Sequence, residues 1–290
     1  MMNRPEILAI DGGGTRCRVA CMVSGRRVLT EVKSANASTD LQGTIAQLNR
    51  GLASLADMLA LTVDDLADVP AFIGLAGMVA PDIRQAIAAG IPLTCARIED
   101  DRPAAVRGAL GDKDGAIGHC GTGSFFAVQK DRDIRLSGGW GPVLGDEASA
   151  QWLGRKALLA ALDVADGLRR MSPLAQGLLE DYGGTAGIVR FASKATPVEF
   201  GDIAPRVTTA AQSEDSLALN LLQRGADHVA RTLLPMGWKP PLPICMTGGI
   251  GRFYKQFLPG DMQSLVSTPE GEPIDGALSL AVDFRRALRE

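Results

Sequence analysis

Apolar positions along the first hundred residues switch between a period of two and a period near 3.6. Residues 6–10 read as a buried strand, 16–23 alternate apolar and polar side chains as a second, Ser24-Gly25 turns the chain, and 27–32 supply a third. From 40 to 61 the residues Leu41, Ile45, Leu48, Leu52, Leu55 and Leu59 fall on one face of a helix. Residues 72–75 form a short apolar strand, 82–89 a helix and 93–98 another strand. Residues 102–110 close as a helix with Pro103 inside its first turn. The predicted order is β-β-β-α-β-α-β-α.

The turn cluster Gly111-Asp112-Lys113-Asp114-Gly115 marks a crossing, after which the pattern restarts. Residues 116–120, 125–129 and 134–137 repeat the strand meander, and helices are predicted over 147–162, 174–191, 203–211 and 217–234, the last ended by Pro235. Residues 242–246 form a strand feeding Thr247-Gly248-Gly249, and 275–288 a final helix. The repeated order resembles a duplicated ribonuclease-H-like module, the actin-like ATPase fold. An α/β protein of two domains with a nucleotide cleft between them is therefore expected: an N-terminal domain over 1–111, a C-terminal domain over 112–274, and a last helix, 275–290, packing back on the first domain.

Composition narrows the functional classes. The hydrophobic fraction of 46% and charged fraction of 22% are those of an ordinary globular protein, and a net charge of −3 offers no basic footprint for nucleic acid or an anionic membrane. A small-molecule ligand follows. Cys17, Cys21, Cys95, Cys120 and Cys245 are odd in number, far apart and without a Cys-x-x-Cys, so buried free thiols are expected rather than disulfides or a zinc site. The first residues lack the pattern of a signal peptide and no apolar run is long enough to span a bilayer, which places the protein in the cytoplasm.

Four glycine-rich segments carry the candidate chemistry. Asp11-Gly12-Gly13-Gly14-Thr15 follows the first strand; glycines let backbone N–H groups approach an anion, Thr15 adds a hydroxyl, and Asp11 offers a hard oxygen to magnesium. A tight turn is the plainer reading of three glycines. Gly121-Thr122-Gly123-Ser124 repeats the arrangement in the second half, where a hairpin turn is the alternative. Gly138-Gly139-Trp140-Gly141 leads into Gly145-Asp146-Glu147: the glycines clear a path, Trp140 gives a flat face for a sugar, and the acids either bind the ligand or cap a helix. Thr247-Gly248-Gly249-Ile250-Gly251 lets backbone lie against a base or ribose, or starts a helix. At the end of the last strand of the first half, Glu99-Asp100-Asp101 holds either a general base or a helix cap at Asp101. His119 and His228 read as packed or exposed side chains.

In their order and approximate spacing these segments resemble the BadF/BadG/BcrA/BcrD ATPase family, and within it the N-acetylglucosamine and glucosamine kinases, over most of the chain. The resemblance implies that Asp11 to Thr15 and Gly121 to Ser124 bind the phosphates of ATP, that Gly248 and Gly249 line its adenosine, and that Asp11 places Mg2+ through water. It implies Asp101 as catalytic base and Asn36, Gly77, Gly139, Trp140 and Asp146 as sugar contacts. The reaction implied is transfer of the γ-phosphoryl group to a sugar hydroxyl, O6 of N-acetylglucosamine or glucosamine, and a homodimer is implied by resemblance alone. Ala76 and His119-Cys120 depart from the amino-sugar kinase pattern and leave the sugar open.

Two other readings use the same loops. An ATP-driven activator of a radical 2-hydroxyacyl-CoA dehydratase would carry Gly-Gly-Gln-Asp where this chain has Gly-Thr-Gly-Ser. A sugar sensor that binds without phosphorylating would have no need of both Asp11 and Asp101. Zinc of the kind held by clustered cysteines and histidine is not expected.

Overall fold

In a computed structural model, which describes residues 4–14, 16–78 and 80–290, the first strand β1 (Ile7–Gly12) is buried along its whole length. Its alternating side chains serve two cores. Leu8 and Ile10 join one cluster and Ile7 and Ala9 another, as expected for a central strand covered on both faces. The chain divides into one unit formed by 1–112 with 269–290 and a second formed by 113–268.

In the first unit β1 is followed by β2 (Arg16–Val23), β3 (Arg26–Lys33), α1 (Leu41–Leu59), β4 (Ala71–Leu75), α2 (Pro81–Gly90), β5 (Ala96–Asp100) and α3 (Arg102–Leu110). The sheet runs β3-β2-β1-β4-β5, antiparallel through β3, β2 and β1 and parallel through β1, β4 and β5. Leu48, Leu52 and Leu55 of α1 are fully buried against one face. The other face, with Ile7, Ala9, Ala20 and Phe72, is covered by Ala104 of α3 and by Ile274, Ala277, Leu278 and Ala281 from the last helix of the chain, Pro273–Ala287.

The second unit contains β6 (Gly115–Cys120), β7 (Ser124–Lys130), β8 (Asp133–Gly138), the single turn α4 (Gly141–Leu144), α5 (Ala150–Ala165), α6 (Pro173–Tyr182), α7 (Gly184–Ala192), α8 (Pro197–Gly201), α9 (Ala204–Gln212), α10 (Ser216–Leu233), β9 (Ile244–Thr247), α11 (Gly248–Tyr254), α12 (Gly260–Gln263) and β10 (Val266–Ser267); the last helix of the chain is α13. Its sheet runs β10-β9-β6-β7-β8 with the same connectivity and the same mixture of directions. Two ribonuclease-H-like sheets thus share one plan. Among the described residues no helix is long and apolar enough to cross a membrane, and all five cysteines are free.

Three elements depart from the sequence expectation for definable reasons. The strand expected over 93–98 is Ala96–Asp100, because the parallel register sets Glu99 opposite Gly74 and Asp100 opposite Leu75. The helix expected to open at Glu147 starts at Ala150: Asp146 and Ala148 hold φ of 61° and 65°, which no α-helix accommodates, and Ser149 caps instead, its hydroxyl accepting from Trp152 N at 3.2 Å. The helix expected over 174–191 breaks at Gly183 and Gly184, both left-handed, into α6 and α7.

Candidate active site

In the first unit the chemistry gathers at the carboxyl ends of β1, β4 and β5, where open α/β sheets bind ligands. Asp11 lies near the end of β1, 8% exposed, and the hairpin register sets Arg18 of β2 directly across from it. Arg18 donates to Asp11 Oδ2 from Nη2 at 2.7 Å and Nε at 3.2 Å, and its Nη1 reaches Glu272 Oε2 at 2.6 Å. Burial pushes the Asp11 carboxyl above the ordinary carboxylate range, while the Arg18 guanidinium pulls it back. Among the described residues, both side-chain hydrogen bonds to the Asp11 carboxylate fall on Oδ2, so Oδ1 keeps its lone pairs for a water or a cation.

The glycine loop after β1 is tied to two neighbouring segments: Ala76 N donates to Gly12 O at 2.8 Å and Ala35 N to Gly13 O at 3.1 Å. These bonds bring Asn36 and Gly77 beside the loop, joined to each other through the bridge between Asn36 and Ala76. Gly77 has φ of 77°, and a Cβ there would stand 2.4 Å from Asn36 Oδ1, so glycine is required for that approach. Asn36 Oδ1 accepts from Ser38 N and Oγ at 3.1 and 2.9 Å. Thr15, the hydroxyl expected in this loop, lies outside the described residues.

Asp101 stands between β5 and α3, at the N-cap position, yet its side chain makes no capping bond. Its neighbour does that work: Asp100 Oδ1 accepts from Arg102 N at 2.9 Å and Arg102 Nε at 2.6 Å, and Glu99 pairs with Arg97 at 2.7 Å. The helix-cap alternative for Asp101 therefore fails. Burial first, then the carboxylates of Asp100 and Asp11, push the Asp101 carboxyl up to about 7, against the pull of Arg102. A carboxylate with that affinity for a proton is matched to general-base work near neutrality.

In the second unit the three glycine segments meet around the end of β6. Gly121 N donates to Gly123 O at 2.9 Å to form the turn, and Gly121 O accepts from Ala150 N of α5 at 2.8 Å. The Ser124 hydroxyl, expected to face phosphate, donates to Glu147 O at 2.6 Å, so what the turn presents to an anion is its backbone and Thr122. Gly248 opens α11 with φ of 78° against Cys120 and Gly121. His119 sits beneath both loops, stacked on Phe125 with ring centroids 5.0 Å apart and with Nδ1 3.0 Å from Thr247 Oγ1; burial holds the imidazole down to about 4, hence neutral.

The Gly138 to Glu147 segment gives two different surfaces. Trp140, Val143 and Leu144 are exposed at 72%, 88% and 82%, with Gly139 just before them in a left-handed conformation. Asp146, in contrast, is 8% exposed; Gln151 Nε2 donates to its Oδ2 at 3.3 Å and Ser124 N approaches Oδ1 at 3.4 Å. Burial raises its carboxyl above the ordinary value. Arg18, Glu272, Gln151 and Tyr254 were not singled out from the sequence. Only Arg18 left a signal, as the residue that the β1–β2 register sets opposite Asp11.

The model of the BadF/BadG/BcrA/BcrD ATPase family matches residues 8–273. The glucosamine kinase GspK of Vibrio cholerae serotype O1 is 26% identical over 278 residues, covering 94% of this chain and 95% of that protein. The N-acetylmuramic acid/N-acetylglucosamine kinase of Clostridium acetobutylicum is 29% identical over 167 residues, about half of each chain (55% and 54%). The solved structure of a candidate N-acetylglucosamine kinase from Chromobacterium violaceum superposes with a TM-score of 0.83 at 27% identity, covering 96% of this chain and 99% of that one.

Proposed function

The chain belongs to the BadF/BadG/BcrA/BcrD ATPase family, and from that premise we propose that it is an ATP-dependent amino-sugar kinase that phosphorylates O6 of glucosamine or N-acetylglucosamine. The observation that carries this reading is Asp101: a carboxyl with a pKa of about 7 at the carboxyl end of a parallel sheet, relieved of the capping duty by Asp100. In the proposed reaction the sugar O6 attacks the γ-phosphorus, the bond from that phosphorus to the bridging oxygen of ADP breaks, and the hydroxyl proton passes to Asp101.

The remaining roles follow the same reading. The Gly13 and Gly121 N–H groups close their own turns on Arg16 O and Gly123 O, so Gly12, Gly13 and Gly121 shape the two loops, while the backbone N–H groups of Gly14 and Gly123, with Thr15 and Thr122, hold phosphate oxygens; Gly248 and Gly249 accept the adenosine. Asn36, Gly77, Gly139, Trp140 and Asp146 orient the sugar, with Trp140 as a stacking face. Magnesium fits the free Oδ1 of Asp11 through water. In this reading the phosphates of ATP supply the ion's other oxygen ligands. Bound there, the ion would neutralise charge on the phosphates during transfer. Arg18 fixes Asp11 in place and favours its charged form against the effect of burial.

Asp101→Asn tests the assignment. With the carboxylate removed, kcat falls by roughly two to four orders of magnitude while the sugar KM changes little. In the parent protein kcat/KM climbs with pH and levels off above about 7, as Asp101 ionises. Near-parental turnover of Asp101→Asn with a normal fold would remove Asp101 as base. An ADP-release screen over glucosamine, N-acetylglucosamine, N-acetylmannosamine and glucose identifies the acceptor, and no ADP release with any sugar would refute the kinase reading.

A further inference from the structure

Asp146 and Ala148 are non-glycine residues in the left-handed region within three positions of each other, at φ of 61° and 65°. Each such conformation is disfavoured by roughly 1 kcal/mol or more and persists only where the surroundings hold it. Here the holding groups are identifiable, because two consecutive carbonyls of the segment are taken by side-chain hydroxyls from elsewhere in the second unit. Ser124 Oγ donates to Glu147 O at 2.6 Å, and Tyr254 Oη donates to Ala148 O at 2.9 Å. Ala150 N closes the end of the segment on Gly121 O at 2.8 Å.

Tyr254 is built into this role. It is fully buried, its ring fills the space left by Gly225 of α10, where a Cβ would stand 2.4 Å from ring carbon Cε1, and burial raises its hydroxyl well above the ordinary range, so it remains a donor. It is also the last residue of α11, the seven-residue helix whose first residue is Gly248. One hydrogen bond therefore links the far end of the helix that Gly248 opens to Ala148, two residues from Asp146.

We propose that Tyr254 and Ser124 are positioning residues: their hydroxyls hold the left-handed segment that aims Asp146, and Tyr254 couples occupancy of the Gly248 loop to the affinity for sugar. The coupling part rests on the kinase reading given above; the tethering part does not. By linkage, a sugar that tightens nucleotide binding is itself bound more tightly by the nucleotide-loaded protein, by the same factor.

Tyr254→Phe removes one oxygen and keeps the ring in place. In ligand-free protein, hydrogen exchange should speed up at the amides of 146–150 in Tyr254→Phe and in Ser124→Ala, with other amides of the second unit unchanged. In calorimetric titrations with a non-hydrolysable ATP analogue and with glucosamine or N-acetylglucosamine, Tyr254→Phe should bind sugar roughly tenfold more weakly, the effect of leaving one buried carbonyl without its donor. The mutual enhancement of the two ligands should disappear. In turnover the sugar KM should rise while kcat at saturating sugar holds within about twofold, a split that general loosening of the fold would not produce. Unchanged exchange at 146–150 in both variants overturns the tether. Changed exchange with parental sugar affinity and undiminished mutual enhancement overturns the coupling. A parent protein that binds neither ligand refutes the kinase reading instead, and the exchange measurement then decides the tether alone. Should Tyr254→Phe not fold, Ser124→Ala carries the exchange readout for the tether, and the mutual enhancement of the two ligands in the parent protein tests the coupling, its absence overturning it.

Discussion

Gly248→Ala is a sharp perturbation of the second unit, because it combines a left-handed backbone with a crowded Cβ position. At φ of 78° an L-residue is disfavoured by about 1–2 kcal/mol. The added Cβ would also stand 2.3 Å from the carbonyl carbon and oxygen of Cys120 and 2.5 Å from Gly121 N. These are backbone atoms at the end of the central strand, and no side chain can swing aside. Overpacking of this kind adds about 1–3 kcal/mol, for a total of roughly 2–5 kcal/mol, a large part of the stability of an ordinary domain. Gly249 is the control one residue later: nothing lies within 4 Å of its Cβ position, so Gly249→Ala should fold as the parent does. All three tryptophans, Trp140, Trp152 and Trp238, fall in the second unit, and the latter two are buried at 6% and 2% exposure. Tryptophan fluorescence during urea unfolding therefore reports on that unit. With a urea slope of about 2 kcal/mol/M, the midpoint for Gly248→Ala should drop by about 1–2.5 M and that for Gly249→Ala should stay put. Equal midpoints for the two variants would refute the steric argument. If Gly249→Ala folds normally yet weakens ATP binding severalfold, the loop contacts nucleotide.

Three further outcomes are expected. Arg18→Met strands the buried Asp11 carboxylate next to Glu272 and should destabilise the first unit by about 3 kcal/mol at pH 8, and by less as the pH is lowered, because burial raises the Asp11 carboxyl and the folded variant takes up its proton before the unfolded chain does; urea unfolding across a pH series checks this, and parental stability at pH 8 counts against it. Trp140→Ala, at a site 72% exposed, should leave stability within about 0.5 kcal/mol while raising the sugar KM severalfold, and an unchanged KM would remove Trp140 as a sugar face. Because the folded protein depresses the His119 pKa from 6.5 to about 4, the unfolded chain takes up a proton first as pH falls. His119 stabilisation is thus intact above pH 6.5 and lost toward pH 4; the parent should lose about 2 kcal/mol more than His119→Gln across that window, and parallel melting curves for the two would disprove it.

What the sequence made legible was local. The strand β2, the leucine face of α1 and the glycine segments after β1, β6 and β9 are patterns spanning fewer than twenty residues or so, and the structure contains each of them, although β2 is buried along nearly its whole length rather than on alternate positions. The start of α5 was not legible, because the left-handed Asp146 and Ala148 depend on hydroxyls at Ser124 and Tyr254, which no local window contains. The partner of Arg18 at Glu272 is 254 residues away and left no trace. Asp101 could be placed at a strand end from sequence, but its proton affinity comes from burial together with Asp100 and Asp11, brought near by the parallel register of β1, β4 and β5.

The discontinuity of the first unit orders events during synthesis. Residues 1–112 emerge first, yet one face of their sheet waits for Ile274, Ala277, Leu278 and Ala281 of α13, and Arg18 waits for Glu272. The second unit, residues 113–268, is made between those two instalments and is complete in sequence before the last one. Maturation therefore runs inside out: the half translated later can finish first, and the half translated earlier is completed by residues from Pro269 onward. A nascent chain stalled before Pro269 would hold the Asp11 and Asp101 carboxylates on an open sheet, exposing Ile7, Ala9 and Phe72 to chaperones and proteases.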